Sequence, residues 1–261
     1  MKLGICLGCV PGATDAERYA NAARAGFGAV EVAALADPGQ LREHRELAAR
    51  YGLQISGVMT GGVWEHPLSA ADPAVRDKGV QAVLAAIEAA AALGADAVLV
   101  IPGLVTPDVT YEQAWERSAR ELRRLIPAAE KANVVLAIEN VWNKFLLSPM
   151  EFVAYLDSFA SPHVAAYFDV GNIVAYGYPD HWIRSLGRRV RRVHVKGFHA
   201  ARHAWTPLRE GTIDWAAVMK AFGDVGYDGY LTAELSPAGD DPIAGLRQIK
   251  ADLDAIVAMG R

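Results

Sequence analysis

A single (β/α)8 TIM barrel, an α/β fold, is the architecture that this 261-residue sequence predicts. Short runs rich in Val, Ile, Leu and Ala alternate with longer helical patterns along the whole chain. This alternation implies a parallel sheet, because each crossover must return over a face of the sheet. The strand-like runs are continuously apolar, which is typical of strands buried on both faces. Eight such units in about 250 residues match a (β/α)8 barrel.

The element boundaries follow from local signals. We predict strands at 2–7, 28–33, 54–59, 97–101, 134–139, 164–169, 190–194 and 229–234. We predict helices at 15–25, 41–51, 73–93, 110–132, 149–158, 181–186, 214–222 and 242–259. Thr14 and Glu17 are spaced as a capping box at the start of the first helix. Gly52 is placed to end the second helix.

A doubly wound open sheet is the main alternative fold. That fold usually carries a glycine-rich phosphate loop after its first strand. Here Gly4, Gly8 and Gly12 do not form G-x-G-x-x-G, and no Walker motif occurs. No Pro/Gly/Ser-rich linker divides the chain, so we expect residues 1–261 to form one TIM-barrel domain.

Composition narrows the class of protein. The chain has 26 Lys and Arg against 30 Asp and Glu, a formal charge of −4, which favours neither nucleic acid nor an anionic membrane as partner. The most apolar stretch, 82–105, is interrupted by Glu88, Asp96 and Pro102 and is not expected to cross a bilayer. The N-terminus makes a poor signal peptide. We expect a cytoplasmic protein, and the sequence leaves a homo-oligomer open.

The two cysteines, Cys6 and Cys9, have C-x-x-C spacing. A redox pair of this kind normally lies at the start of a helix. Val10-Pro11-Gly12 follows instead, so we favour two reduced thiols at a strand end over a redox pair.

Four residues of types that bind metals end the last four predicted strands. Glu139, Asp169, His194 and Glu234 each lie at the carboxyl end of an apolar run. Parallel barrel strands point the same way, so these side chains are expected to meet at one mouth of the barrel. Three carboxylates and one imidazole suit a divalent ion such as Mn²⁺, Mg²⁺, Co²⁺ or Zn²⁺. A single strand-end carboxylate is more often ion-paired than a ligand, but three carboxylates and one imidazole at the ends of consecutive strands predict a metal site.

The segments around these residues also resemble a known family. They are Ile138-Glu139-Asn140, Phe168-Asp169-Val170-Gly171-Asn172, Val193-His194-Val195-Lys196 and Ala233-Glu234-Leu235, with Leu68–Arg76 and Glu210–Trp215 as further matches. They are similar to motifs of the xylose isomerase-like barrel superfamily, and within it to the sugar phosphate isomerase/epimerase family that includes the ketose 3-epimerases. The resemblance covers nearly the whole chain.

The resemblance implies roles for the strand-end residues. Glu139 and Glu234 would both bind the metal and transfer protons, while Asp169 and His194 would serve as ligands only. The ion, for which Mn²⁺ is our first expectation, would polarise a substrate carbonyl and stabilise the enediolate formed on deprotonation. The expected substrate is a small sugar or sugar phosphate. In ketose 3-epimerases a His lies three residues after the metal-binding Asp, where this chain has Asn172.

Other side chains on the same face are candidates for substrate contact. Trp64 and Trp142 are interpreted as an apolar wall or as loop packing, and His66 as a hydrogen-bonding group for the substrate. Asn172 is expected to touch the substrate as well. Lys196 and Arg209 are candidates for holding a phosphate or carboxylate, or are solvated charges, and the same alternatives apply to Lys144 after the fifth predicted strand. Glu31 ends the second predicted strand on this face.

A dense basic run, 188–192, lies at the start of the seventh predicted strand. The superfamily also contains DNA-repair endonucleases, but those use a histidine-richer ligand set. This chain is net acidic and has 7 His. We interpret the run as a solvated or ion-paired edge or a subunit contact.

The sequence thus predicts a metal-dependent sugar isomerase or epimerase. Two alternatives stay open. Deprotonation next to a carbonyl can expel a leaving group, which would make the protein a lyase or dehydratase acting on a 3-keto sugar or keto-inositol. A barrel that keeps the ligands could also serve as a non-catalytic partner subunit.

Overall fold

The chain folds into a closed barrel of eight parallel strands. The computed structural model describes residues 1–239 and 241–260. The barrel strands are β1 (Lys2–Cys6), β2 (Ala29–Ala33), β3 (Gln54–Met59), β4 (Ala97–Val100), β5 (Val135–Glu139), β6 (Val164–Asp169), β7 (Val190–Val195) and β10 (Tyr230–Ala233). β1 closes the barrel, since it pairs in parallel with both β10 and β2. The predicted barrel is therefore confirmed.

Helices follow the barrel strands. They are α1 (Asp15–Arg24), α2 (Pro38–Tyr51), α3 (Pro73–Leu93), α4 (Tyr111–Ala132), α5 (Pro149–Asp157), α6 (Val170–Ile173), α7 (Pro179–Leu186), α8 (Trp215–Asp224) and α9 (Pro242–Ala258). Within the described ranges, no helix is long and apolar enough to cross a membrane.

Side chains along β4 alternate between two apolar layers. On β4, Val98 and Val100 belong to the large core shared with the helices, whereas Leu99 belongs to a second cluster with Ala137 and Tyr167. Successive residues of a strand point to opposite faces, so this second cluster lies inside the barrel. Each fully buried Val or Leu contributes about 1.5–3 kcal/mol through burial.

The start of α2 and the capping of α1 differ from prediction. α2 begins at Pro38 rather than at residue 41, because the Asp37 side chain accepts a hydrogen bond from the Gln40 N–H and Pro38 suits the first turn. At α1, Thr14 caps the Glu17 N–H as predicted. The reciprocal half of the capping box was wrong, because the Glu17 carboxylate accepts from the N–H of Ala13 instead.

The long segment after β7 contains a hairpin that the sequence did not predict. Its strands are β8 (Gly197–His199) and β9 (Ala204–Thr206), paired antiparallel. Gly197 is required here, because a Cβ on it would lie 2.1 Å from the Pro207 carbonyl oxygen. The hairpin begins three residues after the ligand candidate His194 and borders the mouth of the barrel.

Candidate active site

The four predicted ligands meet inside one mouth of the barrel. Glu139 and Asp169 are the last residues of β5 and β6, His194 lies in β7, and Glu234 follows β10. One donor atom from each lies within 4.8 Å of the donor atoms of the other three. Alternation explains the convergence, because Glu139 and Asp169 stand two residues beyond Ala137 and Tyr167 and so point inward.

Short polar contacts link the cluster. His194 Nδ1 lies 3.1 Å from Glu139 Oε1 and 3.7 Å from Glu234 Oε2. Lys196 Nζ lies 2.9 Å from Asp169 Oδ2 and 2.5 Å from Glu234 Oε2. Lys196 was predicted as a substrate-binding residue, and the structure places its ammonium between two of the carboxylates.

Burial and neighbouring charge shift the three carboxyl groups differently. Burial raises the pKa of Glu139 to about 7, against the opposing influence of His194. Burial also raises the pKa of Asp169. Burial acts in the same direction on Glu234, but His194 and Lys196 outweigh it and lower the pKa of that carboxyl.

The donor set fits a hard or borderline divalent cation. Three carboxylates and one imidazole converge, and such ions prefer oxygen and nitrogen ligands. Three clustered carboxylates also demand positive charge nearby, and Lys196 supplies one such charge. Glu139, Asp169, His194 and Glu234 would hold the ion.

Asn140 and Asn172 orient Asp169. The Asn140 side chain donates to the Asp169 carbonyl and accepts from its N–H, at 2.8 and 2.9 Å. Asn172 donates its backbone N–H to Asp169 Oδ1 at 2.7 Å and its side-chain amide to the Asn140 carbonyl at 2.9 Å. Oδ2 of Asp169 is thus the oxygen left facing the cluster. Asn172 was predicted as a substrate contact; its side-chain amide is engaged in this loop-to-loop bond.

His194 has a second carboxylate on its far side. Nε2 lies 2.7 Å from Oε2 of Glu31, which is fully buried on β2. Tyr167 donates its hydroxyl to the same oxygen at 2.6 Å. The sequence placed Glu31 at the end of its strand and assigned it no role; the structure places it in the middle of β2. The sequence gave no signal for Tyr167, whose position depends on strand register.

A cavity of about 820 Å³ opens beside the cluster. It is lined by Lys196 and Glu234 at its inner end and by Arg209, predicted to bind substrate, and Asp252. Arg209 lies 3.8 Å from the Asp252 carboxylate. Cys9 lines the same cavity. The cavity is large enough for a small sugar.

Aromatic side chains of the predicted wall separate into two groups. Trp142 stacks on Trp205 of β9 and on His203, with ring centroids 5.0 and 5.3 Å apart, and its indole N–H donates to the Asn172 carbonyl. Lys196 lies 4.9 Å above the Trp205 ring. Trp205 lines the described cavity, whereas Trp142, Trp64 and His66 do not; Trp64 is half exposed in the loop after β3. The sequence missed Trp205 and His203, because nothing local marks the hairpin that presents them.

Both cysteines are free thiols, as favoured from the sequence. Burial raises the pKa of each, which opposes formation of a reactive thiolate. In the basic run, Arg189 pairs with Asp157, and Arg191 and Arg192 both pair with Asp96. The expected ion-paired edge is therefore present for these three arginines.

Comparison with known proteins agrees with this architecture. A family model described as xylose isomerase-like TIM barrel matches residues 19–256. This chain belongs to that family. L-ribulose-5-phosphate 3-epimerase UlaE of Escherichia coli O1:K1 / APEC is 27% identical over 199 residues, which are 74% of this chain and 69% of that protein.

Solved structures share the fold. A D-tagatose 3-epimerase-like protein superposes with a TM-score of 0.86 at 20% identity, covering 100% of this chain and 98% of its own. An L-ribulose 3-epimerase gives a TM-score of 0.83 at 22% identity, covering 100% and 96%. The 3-keto-D-glucoside 4-epimerase YcjR of E. coli gives 0.83 at 17%, covering 98% and 99%. Proteins with the same fold as this chain thus include several sugar epimerases.

Proposed function

We propose that this protein is a divalent-metal-dependent epimerase or isomerase of a small ketose or ketose phosphate. The observation that carries the proposal is the meeting of two carboxylates from separate strands. Glu139 on β5 and Glu234 after β10 reach one cluster although β6 and β7 lie between their strands. The similarity to sugar epimerases supports a sugar as substrate.

Two carboxylates on separate strands can remove a proton from one face of a carbon and deliver a proton to the opposite face. One of Glu139 and Glu234 accepts the proton from the carbon next to the carbonyl. The other donates a proton to the opposite face, which inverts the configuration; return to the neighbouring carbon would instead interconvert aldose and ketose. A divalent ion in this site supplies Lewis-acid polarisation of the carbonyl. General acid and base groups of this kind contribute about 10²–10⁴-fold to rate.

The remaining residues of the site would bind the metal ion or orient the substrate. Asp169, fixed by Asn140 and Asn172, presents Oδ2 as a ligand oxygen. Lys196 balances carboxylate charge at the inner end of the cavity. We assign Trp205, which lines the cavity and stacks on Trp142, to the apolar side of the sugar site, and Arg209 to the outer end of the cavity, where it would meet a terminal phosphate.

Solvent exchange tests the proposal. The Mn²⁺-supplemented protein is incubated in D₂O with a panel of ketoses and ketose 5-phosphates, and carbon-bound deuterium and products are followed by NMR. We expect exchange with inversion for at least one substrate. Elimination of water in place of inversion would indicate the lyase alternative. Absence of any exchange would refute the enzyme assignment and favour a partner subunit.

Substitutions locate the proton-transfer groups. Glu139→Gln and Glu234→Gln are each expected to lower turnover by at least about 100-fold. Glu210→Gln is the matched control, because Glu210 lines the same cavity outside the ligand cluster. Its turnover should stay within about threefold. Wild-type turnover in either cluster variant would contradict the two-carboxylate mechanism.

A further inference from the structure

We propose that Glu31 is a positioning residue for the metal site, holding the His194 ring with its proton on Nε2 so that Nδ1 presents a lone pair to the ligand cluster. The inference rests on the proposed metal-dependent function and adds a residue from β2 to the site. Glu31 would not itself contact the ion or the substrate.

The ring of His194 is held from both sides. Nε2 lies 2.7 Å from Glu31 Oε2, and Nδ1 lies 3.1 Å from Glu139 Oε1. A neutral imidazole has one N–H and one lone pair, so the partner of one nitrogen determines the role of the other. Oε2 of Glu31 already accepts the Tyr167 hydroxyl, so it faces Nε2 as an acceptor. Glu31 therefore selects the tautomer in which Nδ1 faces Glu139, Asp169 and Glu234.

Glu31 is itself held in place. Tyr167 donates its hydroxyl to Oε2 at 2.6 Å, and Cys6 Sγ lies 3.8 Å from the same oxygen. These contacts locate the oxygen that faces His194. Val30 and Val32 on either side of Glu31 pack in the outer core, so Glu31 points into the barrel beneath the mouth.

The position of Glu31 is costly for the fold. Its side chain is fully buried, and within the described residues Oε1 has no hydrogen-bond partner. Gly57 leaves room for this oxygen, because a Cβ there would lie 3.4 Å from it. A buried carboxylate with an unsatisfied oxygen destabilises a protein relative to an apolar side chain. A role in orienting His194 accounts for a group that stability alone would not favour.

Loss of such a carboxylate weakens metal binding in general. Partners of this kind fix the ring and strengthen the ligand nitrogen, and their removal typically costs about 10–100-fold in metal affinity. The expected signature is therefore a change in metal affinity that is separable from folding.

The test is a Mn²⁺ titration followed by EPR of the free ion. Glu31→Gln should bind Mn²⁺ about 10–100-fold more weakly than wild type. Tyr167→Phe keeps the ring and removes only the bond to Glu31, so it should weaken binding by a smaller factor and serves if the first variant fails to fold. Thr232→Val is the matched control, because Thr232 is fully buried and aligned with His194 on the neighbouring strand. Its affinity should match wild type.

NMR identifies the tautomer of His194 directly. With Zn²⁺ bound, ¹⁵N NMR of histidine-labelled protein should show His194 protonated on Nε2 in the wild type and altered in Glu31→Gln. Unchanged affinity and unchanged ring signals in folded Glu31→Gln, while the wild type binds Mn²⁺, would overturn the positioning role and leave the proposed function standing. Failure of the wild type to bind Mn²⁺ would overturn both.

Discussion

Replacing Lys196 by Met should make the protein less stable without metal and more responsive to metal. The Lys196 ammonium contacts Asp169, which is fully buried, and Glu234, which is about one-third exposed. Burial opposes the charge on Lys196, but the two carboxylates outweigh it and raise its pKa. Its removal leaves both carboxylates without that positive partner.

The expected loss of stability follows from the burial of this ion pair. Removing one partner of a buried ion pair typically lowers the free energy of unfolding by about 3–5 kcal/mol. At about 2–3 °C per kcal/mol for a chain of this size, Tm should fall by about 6–15 °C in chelated buffer. A divalent ion among the same carboxylates replaces the missing charge. Mn²⁺ at about 100 times its Kd stabilises by about 2.7 kcal/mol, and Kd itself should be lower in the variant because no ammonium must be displaced.

Calorimetry with and without Mn²⁺ measures both effects. Lys220→Met is the control, since Lys220 is largely exposed and its partner Asp224 also pairs with Arg184. Its Tm should change by less than about 2 °C. A Tm gain on Mn²⁺ addition that is smaller in Lys196→Met than in wild type would refute the argument that ammonium and cation compete for the same oxygens.

Three further outcomes are expected. Gly171→Ala should lower the free energy of unfolding, measured in urea, by about 1–3 kcal/mol, because the new Cβ would lie 2.6 Å from Lys196 Cγ. An unchanged urea midpoint of unfolding would contradict this. Burial raises the pKa of Glu121, but Arg124 and neighbouring arginines outweigh it and lower that pKa below its usual 4.5. As pH falls, the carboxylate of Glu121 binds its proton at a higher pH in the unfolded state than in the folded state. The stability that this carboxylate contributes to the fold is therefore present above about pH 4.5 and is lost as pH falls through the folded pKa. The stability difference between wild type and Glu121→Gln should accordingly be larger at pH 7 than at pH 3; equal differences would refute it. Arg209→Gln should raise KM for a ketose phosphate about tenfold, with KM for the unphosphorylated ketose unchanged; equal effects on both would exclude a phosphate contact.

Local sequence patterns were enough to predict the barrel and the four candidate metal ligands. Continuous apolar runs mark strands buried on both faces, and each run that ends in Glu, Asp or His places that side chain at the same mouth. Glu139, Asp169, His194 and Glu234 meet because strand direction and alternation, both local properties, determine where a strand end points.

Contacts across the barrel required the tertiary structure. Glu31 meets His194 from 163 residues away and Tyr167 from 136 residues away. Their meeting depends on the register between strands, which includes a shift between Ala166 and Tyr167. Register is set by packing of the whole barrel, and no short stretch of sequence carries it.

The sequence by itself determined a (β/α)8 barrel and one cluster of three carboxylates and an imidazole at its mouth, because these depend on strand order and on inward or outward alternation. Only the tertiary structure decided that Lys196 lies between Asp169 and Glu234, that Trp142 stacks on the hairpin, and that Glu31 stands behind His194. Those positions depend on register and loop packing, where atoms distant in sequence must fit into the same space.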